Sequence, residues 1–134
     1  MSVFTKPEPI LEIENLKIAL PEGSDRPFAV DGLTLSVHPG EIVCLVGESG
    51  SGKTLAASAV MRLLPEPRVR VAGGTIRFEG REIYSLSSAE MRSLRGSRMA
   101  MIFQEPMAAL NPQKRIGWQI EEVLRIHTSL SRKE

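Results

Sequence analysis

The sequence lacks the features that mark secreted, membrane-spanning or nucleic-acid-binding chains. Its 134 residues include one cysteine, Cys44, so an internal disulfide is excluded and a reducing compartment is favoured. No apolar stretch approaches the roughly 20 residues of a transmembrane helix, and residues 1–9 lack the apolar centre of a signal peptide. The formal net charge of +1 gives no electrostatic reason to expect a nucleic-acid partner. Any membrane role must therefore come through a partner protein.

Aromatic residues are also scarce, at 4% of the chain, while 42% of the residues are hydrophobic. A core made from this composition rests mainly on Leu, Ile, Val, Met and Ala. The length suits one domain. Cys44 lies inside an apolar run, and free cysteines are usually small core residues, so we expect its thiol to be buried.

Alternating apolar residues predict strands in three places. The segment Ile10–Leu20 has period two with a phase slip at Asn15, which indicates a β-bulge. A second alternating strand follows at Phe28–Val37. Two short strands, at 75–78 and 81–83, flank the turn residues Glu79-Gly80 and are typical of a hairpin.

Two other apolar runs do not alternate. Glu41–Val46 and Met99–Phe103 are continuous, as in strands that a parallel sheet buries on both faces. Helical segments separate the predicted strands, and the first of them stops before Pro65. The three predicted helices are 53–64, a short helix that Ser87 or Ser88 caps and that runs to Leu94, and the amphipathic segment 116–127.

The strongest motif lies between the first continuous run and the first helix. Gly47-Glu-Ser-Gly-Ser-Gly-Lys-Thr54 matches G-x-x-x-x-G-K-[ST] at every fixed position. Its glycines let backbone N–H groups approach phosphate oxygens, and the following helix directs its positive dipole end at the same anion. Lys53 adds a charge near the β- and γ-phosphates, and Thr54 offers a hydroxyl to Mg²⁺. The predicted phosphate-binding residues are Gly47, Glu48, Ser49, Gly50, Ser51, Gly52, Lys53 and Thr54.

A polar amide follows the second continuous run directly. Ligand groups gather at the carboxyl ends of strands in open parallel sheets. If the two continuous strands are neighbours, Gln104 faces the γ-phosphate and can ligate the metal or orient water. Taken alone, a glutamine in a polar loop is the commoner interpretation.

The residues around Gln104 give the motif a more specific meaning. Phe103-Gln-Glu-Pro-Met-Ala-Ala-Leu-Asn-Pro112 resembles the Q-loop of ABC ATPases that serve dipeptide and oligopeptide importers, in the peptide, nickel and glutathione group. The resemblance extends from about Leu11 onward. The other segments that carry it are Ala29–Leu35, Pro39–Ile42, Gly47–Thr54, Gly73–Gly80 and Met91–Gly96.

The resemblance implies an α/β fold, the N-terminal part of a P-loop NTPase of the ABC type. It has a mixed sheet and an antiparallel β subdomain around the phosphate-loop helix. Residues 1–9 would be a flexible lead-in, residues 10–115 a partial ATPase core, and residues 116–134 the start of a helical subdomain.

The implied function is that of the ATP-binding subunit of a peptide importer, a transport-coupled ATPase that uses ATP and Mg²⁺. Thr54 and Gln104 would contact Mg²⁺, and Gln104 would also position water. In the family, an aromatic side chain before the first phosphate-loop strand stacks on adenine, and Phe28 is the candidate here. Two alternatives are open: Leu20 occupies the aligned position, or Phe28 is simply a residue of the core. The implied partners are a second ATPase subunit and membrane permease subunits. The permeases would contact the loop after Gln104, at the cytoplasmic face of the bacterial inner membrane.

The sequence departs from the family at its end, because it stops at Glu134, where the helical subdomain of the family is just beginning. It has no Leu-Ser-Gly-Gly-Gln segment, no later strand with the Asp-Glu pair that supplies the catalytic Glu, and no switch histidine, which neither His38 nor His127 matches. We therefore expect a truncated chain that binds ATP with weak or absent hydrolysis, because it lacks the water-orienting carboxylate. The alternatives are a non-catalytic fragment, another P-loop enzyme such as a small-molecule kinase, and a non-transport ABC protein of repair or translation.

Overall fold

The computed structural model describes residues 7–104 and 110–128. The chain divides into two compact units, Met1–Leu86 and Ser87–Glu134. Within the described residues, the first unit contains a β-sheet, one α-helix and a short 3₁₀ turn, and the second contains two α-helices. These elements confirm the predicted α/β class.

The first unit is built on a four-stranded antiparallel sheet with the order β2-β1-β3-β4. Its central strand β1 pairs with β2 on one side and β3 on the other, and β1 supplies the fully buried Leu16 and Ile18. Alternation therefore puts the apolar side chains of β1 on one covered face, as the sequence predicts. The strands are β1 Leu11–Ala19, β2 Phe28–Val37, β3 Arg70–Phe78 and β4 Arg81–Glu82.

The predicted bulge at Asn15 is confirmed. Asn15 has a φ of 49°, and the pairing of β1 shifts register around it on both sides. Its backbone N–H donates to Thr34 Oγ1 at 2.9 Å instead of to a ladder carbonyl. Gly74 lies opposite with a φ of 83°, where an added Cβ would collide with the backbone oxygens of Glu14 and Asn15. The bulge fits here because β1 carries extra residues and Gly74 on β3 carries no side chain.

The predicted hairpin is also confirmed, with β3 and β4 joined through Glu79 and Gly80. Both turn residues have positive φ, 50° and 74° respectively. β3 begins at Arg70, five residues before the predicted start, so it pairs along almost the whole length of β1. A short 3₁₀ turn at Ile83–Ser85 follows, and Ile83 is fully buried.

Helix α1, Lys53–Val60, ends four residues before the predicted stop at Leu64. Its end is set by Arg62, which takes a φ of 50° and cannot continue a right-handed helix. The covered face consists of small residues, Ala56, Ser58 and Ala59, and α1 contacts β2. Small side chains allow the helix to approach the sheet closely.

The prediction of a buried strand at Glu41–Val46 is wrong. These residues form no strand, and the side chains of Ile42 and Val46 are each 91% exposed. The predicted burial of Cys44 is wrong for the same reason, because its thiol is exposed. A strand exists only where a second backbone supplies hydrogen bonds, and no strand of the described residues pairs with this segment.

The second unit begins with α2, Ser88–Leu94. Of the two predicted cap residues, Ser87 and Ser88, the N-cap is Ser87. The Ser87 hydroxyl accepts from the N–H of Glu90, whose carboxylate accepts from the N–H of Ser87, a complete capping box. Met91 is the buried residue of this helix. The predicted strand Met99–Phe103 is wrong: it is reduced to one bridge between Arg95 and Met99, and Ile102 is 93% exposed. The cause is again the lack of a partner strand among the described residues.

Helix α3, Ile116–His127, has the predicted bounds. Its start is organised by Gln119, whose side-chain amide accepts from the N–H of Asn111 at 2.8 Å and donates to Lys114 O at 3.1 Å. The helix has no buried residue, and its apolar side chains are exposed. The last residue of α3, His127, lies beside the turn that follows α2. A Cβ added at Gly96 in that turn would be 2.6 Å from His127 Nε2.

Candidate phosphate-binding site

The site residues 47–52 form a loop that leads directly into the N-terminus of α1. Gly52 is the residue before the helix and has a φ of 90°, which strains any side chain. An added Cβ at Gly52 would also collide with the carbonyl oxygen of Ala29 and lie 2.8 Å from Val30 Cγ2. The glycine is thus required twice, by its backbone angle and by the close approach of the start of β2.

The ammonium of Lys53 lies inside the curve of this loop. Its Nζ donates to the carbonyl oxygens of Gly47 at 2.7 Å and Glu48 at 2.6 Å, and to Ser51 Oγ at 3.1 Å. A Cβ at Gly47 would be 2.8 Å from Ser51 Oγ and 3.9 Å from Nζ, so it would narrow the same space. The predicted loop residues and the predicted lysine are therefore brought together around one point.

A tight turn gives the loop its shape. The N–H of Ser51 donates to Glu48 O at 3.2 Å, and Gly50 between them has a φ of 78°. The first helical hydrogen bond follows, from Ala56 N–H to Gly52 O at 2.8 Å. The first turn of α1 contains no acidic residue. The backbone N–H groups of the first turn and the positive end of the helix dipole therefore attract an anion, and no carboxylate in that turn repels it.

Thr54, the predicted hydroxyl ligand for Mg²⁺, is the second residue of α1 and is exposed. No three His, Cys, Asp or Glu side chains form a metal-binding group in residues 7–104 and 110–128.

Phe28, the candidate for adenine stacking, is the first residue of β2 and is half-buried. The Lys17 ammonium lies 5.5 Å from the centroid of its ring and also pairs with Asp31 Oδ1 at 2.8 Å. One face of the ring is thus occupied by a cation held in place from β2. A base could stack only on the other face.

Gln104 belongs to the second unit, whereas the phosphate loop belongs to the first. Its side chain is exposed. The loop that would follow it toward a membrane partner begins at residue 105, and residues 105–109 lie outside the described residues. The roles of Gln104 in binding metal and positioning water therefore stay predictions.

Arg26 contacts the candidate site, and the sequence did not predict it. It lies in the loop between β1 and β2, and its Nη2 donates to the carbonyl oxygen of Gly50 at the tip of the phosphate loop. The loop residues Leu20 to Pro27 line a cavity of about 370 Å³. The available signal was weak: Arg26 is the one cationic residue in the loop sequence Pro-Glu-Gly-Ser-Asp-Arg-Pro, positions 21–27.

In the described part of the chain, no helix has both the length and the hydropathy to cross a bilayer.

Comparison with known proteins identifies the family. Residues 30–133 match the family described as ABC transporter. A probable D,D-dipeptide transport ATP-binding protein of Escherichia coli (strain K12) is 44% identical over 127 residues, covering 95% of this chain and 39% of that protein. A putative peptide import ATP-binding protein of Brucella abortus (strain 2308) is 39% identical over 134 residues, covering 100% and 40% respectively.

A peptidoglycan transport ATP-binding protein of Agrobacterium fabrum is 40% identical over 127 residues, covering 95% of this chain and 23% of that protein. The chain thus spans at most about two fifths of the length of these relatives. The family match includes the whole phosphate loop, all of α1 and most of the remaining described residues. The chain belongs to the ABC transporter family.

Proposed function

We propose that residues 47–54 bind the triphosphate of ATP, and that the chain is part of the ATP-binding subunit of an importer for di- and oligopeptides. The position of Lys53 carries the proposal. Its ammonium is enclosed by loop oxygens at 2.6–3.1 Å, at the N-terminus of a helix without acids in its first turn. A compact cation, free helical N–H groups and a wrapped glycine loop form the recurring arrangement for polyphosphate.

The residues present fit this ligand. A side chain at Gly47 would narrow the space around the Lys53 ammonium, and a side chain at Gly52 would strain the backbone. The two glycines therefore let phosphate oxygens approach the loop backbone closely. When bound, Mg²⁺ neutralises charge on the phosphate oxygens. Thr54 would hold it from α1, and Gln104 would contribute an amide oxygen and orient water. Phe28 would offer the free face of its ring to adenine.

The proposal for substrate and partners is supported by the names of the relatives, which concern transport of D,D-dipeptides, peptides and peptidoglycan. We propose a second ATPase subunit and permease subunits as partners, with the segment after Gln104 contacting the permease. The corresponding place is the cytoplasmic face of the inner membrane. The division into a lead-in at 1–9, a core at 10–115 and the start of a helical subdomain at 116–134 is part of the same proposal.

Titration of the purified chain with ATP in the presence of Mg²⁺ tests the binding step. We expect saturable binding that Lys53→Ala abolishes, because the variant removes the one charge that the loop encloses. Lys114→Ala is the matched control, since it deletes the same charge in the second unit, beside Trp118. A wild-type chain with no affinity for adenosine nucleotides in Mg²⁺ would contradict the proposal, as would unchanged binding by Lys53→Ala.

We further propose that this chain binds ATP with little turnover. Its sequence contains neither a Leu-Ser-Gly-Gly-Gln segment nor an Asp-Glu pair. Loss of positioned catalytic groups costs orders of magnitude in rate. The turnover is measured as the rate of phosphate release from ATP by the wild-type chain, and the rate with Lys53→Ala gives the background. Rapid release that depends on Lys53 would contradict the low turnover and leave the binding proposal intact.

A further inference from the structure

Arg26 connects two loops that are 24 residues apart in sequence. Its guanidinium donates to Gly50 O, the carbonyl at the tip of the phosphate loop. Arg26 itself lies on an organised loop. The N–H of Leu20 donates to Pro27 O at 2.9 Å and closes the base, and Ser24 bonds to Pro21 O through both its N–H and its hydroxyl. The guanidinium is thus presented from a closed loop rather than from a loose segment.

The peptide that Arg26 contacts also belongs to the turn of the phosphate loop. A trans peptide is planar, so its carbonyl and its N–H point in opposite directions. The peptide that carries Gly50 O also carries the N–H of Ser51. That N–H donates to Glu48 O at 3.2 Å, and the same oxygen accepts from Lys53 Nζ at 2.6 Å. Fixing one end of this peptide therefore fixes the other.

Gly50 makes this fixing necessary. Apart from Gly50 and its two chain neighbours, no residue has an atom within 4 Å of the position of the missing Cβ, so packing does not restrain it. Glycine also populates positive and negative φ almost equally. Without an external restraint, the peptide after Gly50 could rotate, which would break the Ser51 to Glu48 turn and shift an oxygen that holds Lys53. A charge-assisted hydrogen bond from a guanidinium is stronger than a neutral one and suits this task.

We propose that Arg26 is a positioning residue of the nucleotide site: it holds the peptide after Gly50 in the orientation that keeps the phosphate loop curled around Lys53. The inference rests on the proposed function of that loop. It adds a residue outside the motif, on the loop between β1 and β2, that acts on phosphate affinity through the backbone. Arg26 does this without touching the phosphates.

The experiment compares two probes, ATP with Mg²⁺ and inorganic tripolyphosphate with Mg²⁺, which has no base or ribose. Arg26→Ala is expected to lower the affinity for both probes by the same factor, about three- to tenfold. Loss of one exposed charge-assisted hydrogen bond has an effect of this size. Arg26→Lys is expected to recover part of the loss, because an ammonium can still donate to Gly50 O. Arg68→Ala removes an exposed arginine of the same unit and is expected to change neither affinity.

Thermal unfolding without ligand separates positioning from general stability. Arg26→Ala is expected to keep the wild-type midpoint, and Arg26→Lys provides a second variant if the alanine form does not fold. Weaker binding of ATP with unchanged binding of tripolyphosphate would overturn the inference, because Arg26 would then act on the adenosine part. Unchanged binding of both probes by Arg26→Ala would also overturn it while the proposed function stands. Absence of ATP binding in the wild type would remove the proposed function itself.

Discussion

The Tyr84 hydroxyl donates to the carbonyl oxygen of Ala59 at 3.0 Å and thereby ties the 3₁₀ turn after the hairpin to the last turn of α1. The Arg62 guanidinium lies 5.6 Å from the centroid of the same ring and donates to Leu86 O at 2.7 Å. The far end of the phosphate-loop helix is thus fixed to the edge of the sheet by a phenol and a cation.

Tyr84→Phe is expected to lower the free energy of unfolding by about 1 kcal/mol, the usual net worth of one hydrogen bond. The ring packing stays, so the loss should be confined to the hydroxyl. Urea denaturation at pH 7 measures it. Ser85→Ala is the comparison: its hydroxyl donates to Glu82 O at 2.8 Å but is exposed, so its removal should cost less. Equal stability of Tyr84→Phe and wild type would contradict the assigned bond.

A second prediction concerns pH. Burial, reinforced by the carboxylate of Glu66, raises the pKa of Tyr84 to about 12 from the value of 10.0 expected in an unfolded chain. The folded state therefore holds this proton more tightly. The stabilisation is complete below pH 10 and is lost as the pH rises toward 12, by on the order of 1–2 kcal/mol after allowance for partial exposure.

The stability difference between wild type and Tyr84→Phe, measured from pH 8 to 12, isolates this effect, because all other titrating groups are shared. We expect the advantage of the wild type to shrink above pH 10 and vanish near pH 12. A difference that stays constant over the range would show that the phenol ionises equally easily in both states.

A third prediction uses two glycines of the phosphate loop. Gly50 and Gly52 both have positive φ, but only at Gly52 would a Cβ also meet the backbone of Ala29. Gly50→Ala should cost about 1 kcal/mol from its backbone angle alone. Gly52→Ala should cost more, about 2–4 kcal/mol, because strain and overpacking act together. Denaturant unfolding compares them, with Gly23→Ala as the control for positive φ outside the site. Equal costs at the two positions would contradict the close approach of β2.

A fourth prediction concerns the exposed segment before the phosphate loop. Ile42→Thr should change the stability by less than about 0.5 kcal/mol, because the side chain is 91% exposed. Ile76→Thr, at 1% exposure in β3, is the buried counterpart and should cost about 2 kcal/mol or more. A large loss from Ile42→Thr would mean that this segment is covered in the folded chain.

A fifth prediction concerns Gln104. In a complete transporter, Gln104→Ala is expected to leave ATP binding largely intact, because the phosphates are held by the loop and Lys53. Coupling should weaken, since the variant removes the amide proposed to contact Mg²⁺ and orient water. Transport and nucleotide affinity measured side by side give the answer, and unchanged transport would count against the role of Gln104.

Local patterns predicted the antiparallel part of the fold well. Three predictions were of this kind: the bulge at Asn15, the turn at Glu79-Gly80 and the cap formed by Ser87 and Glu90. Each depends on a strict alternation or on an interaction between residues close in sequence. Such signals need no knowledge of distant residues. The sequence motif likewise put Gly47 and Lys53 on one short segment, and the structure adds a contact that the motif does not state, from the Lys53 ammonium to Gly47 O.

Predictions that depended on distant partners failed. Glu41–Val46 and Met99–Phe103 have the composition of buried strands, but composition supplies no pairing partner, and the structure leaves Ile42 and Ile102 exposed. The contact of Arg26 could not be predicted for a related reason. Its partner is a backbone carbonyl 24 positions away, which no side-chain pattern marks.

The exposed thiol of Cys44 has a practical consequence. It is the one cysteine of the chain and lies three positions before Gly47. A maleimide dye would therefore attach at a single place, next to the candidate nucleotide loop and without mutagenesis. Its emission would provide an optical reporter for titrations with ATP, tripolyphosphate and the Arg26 variants.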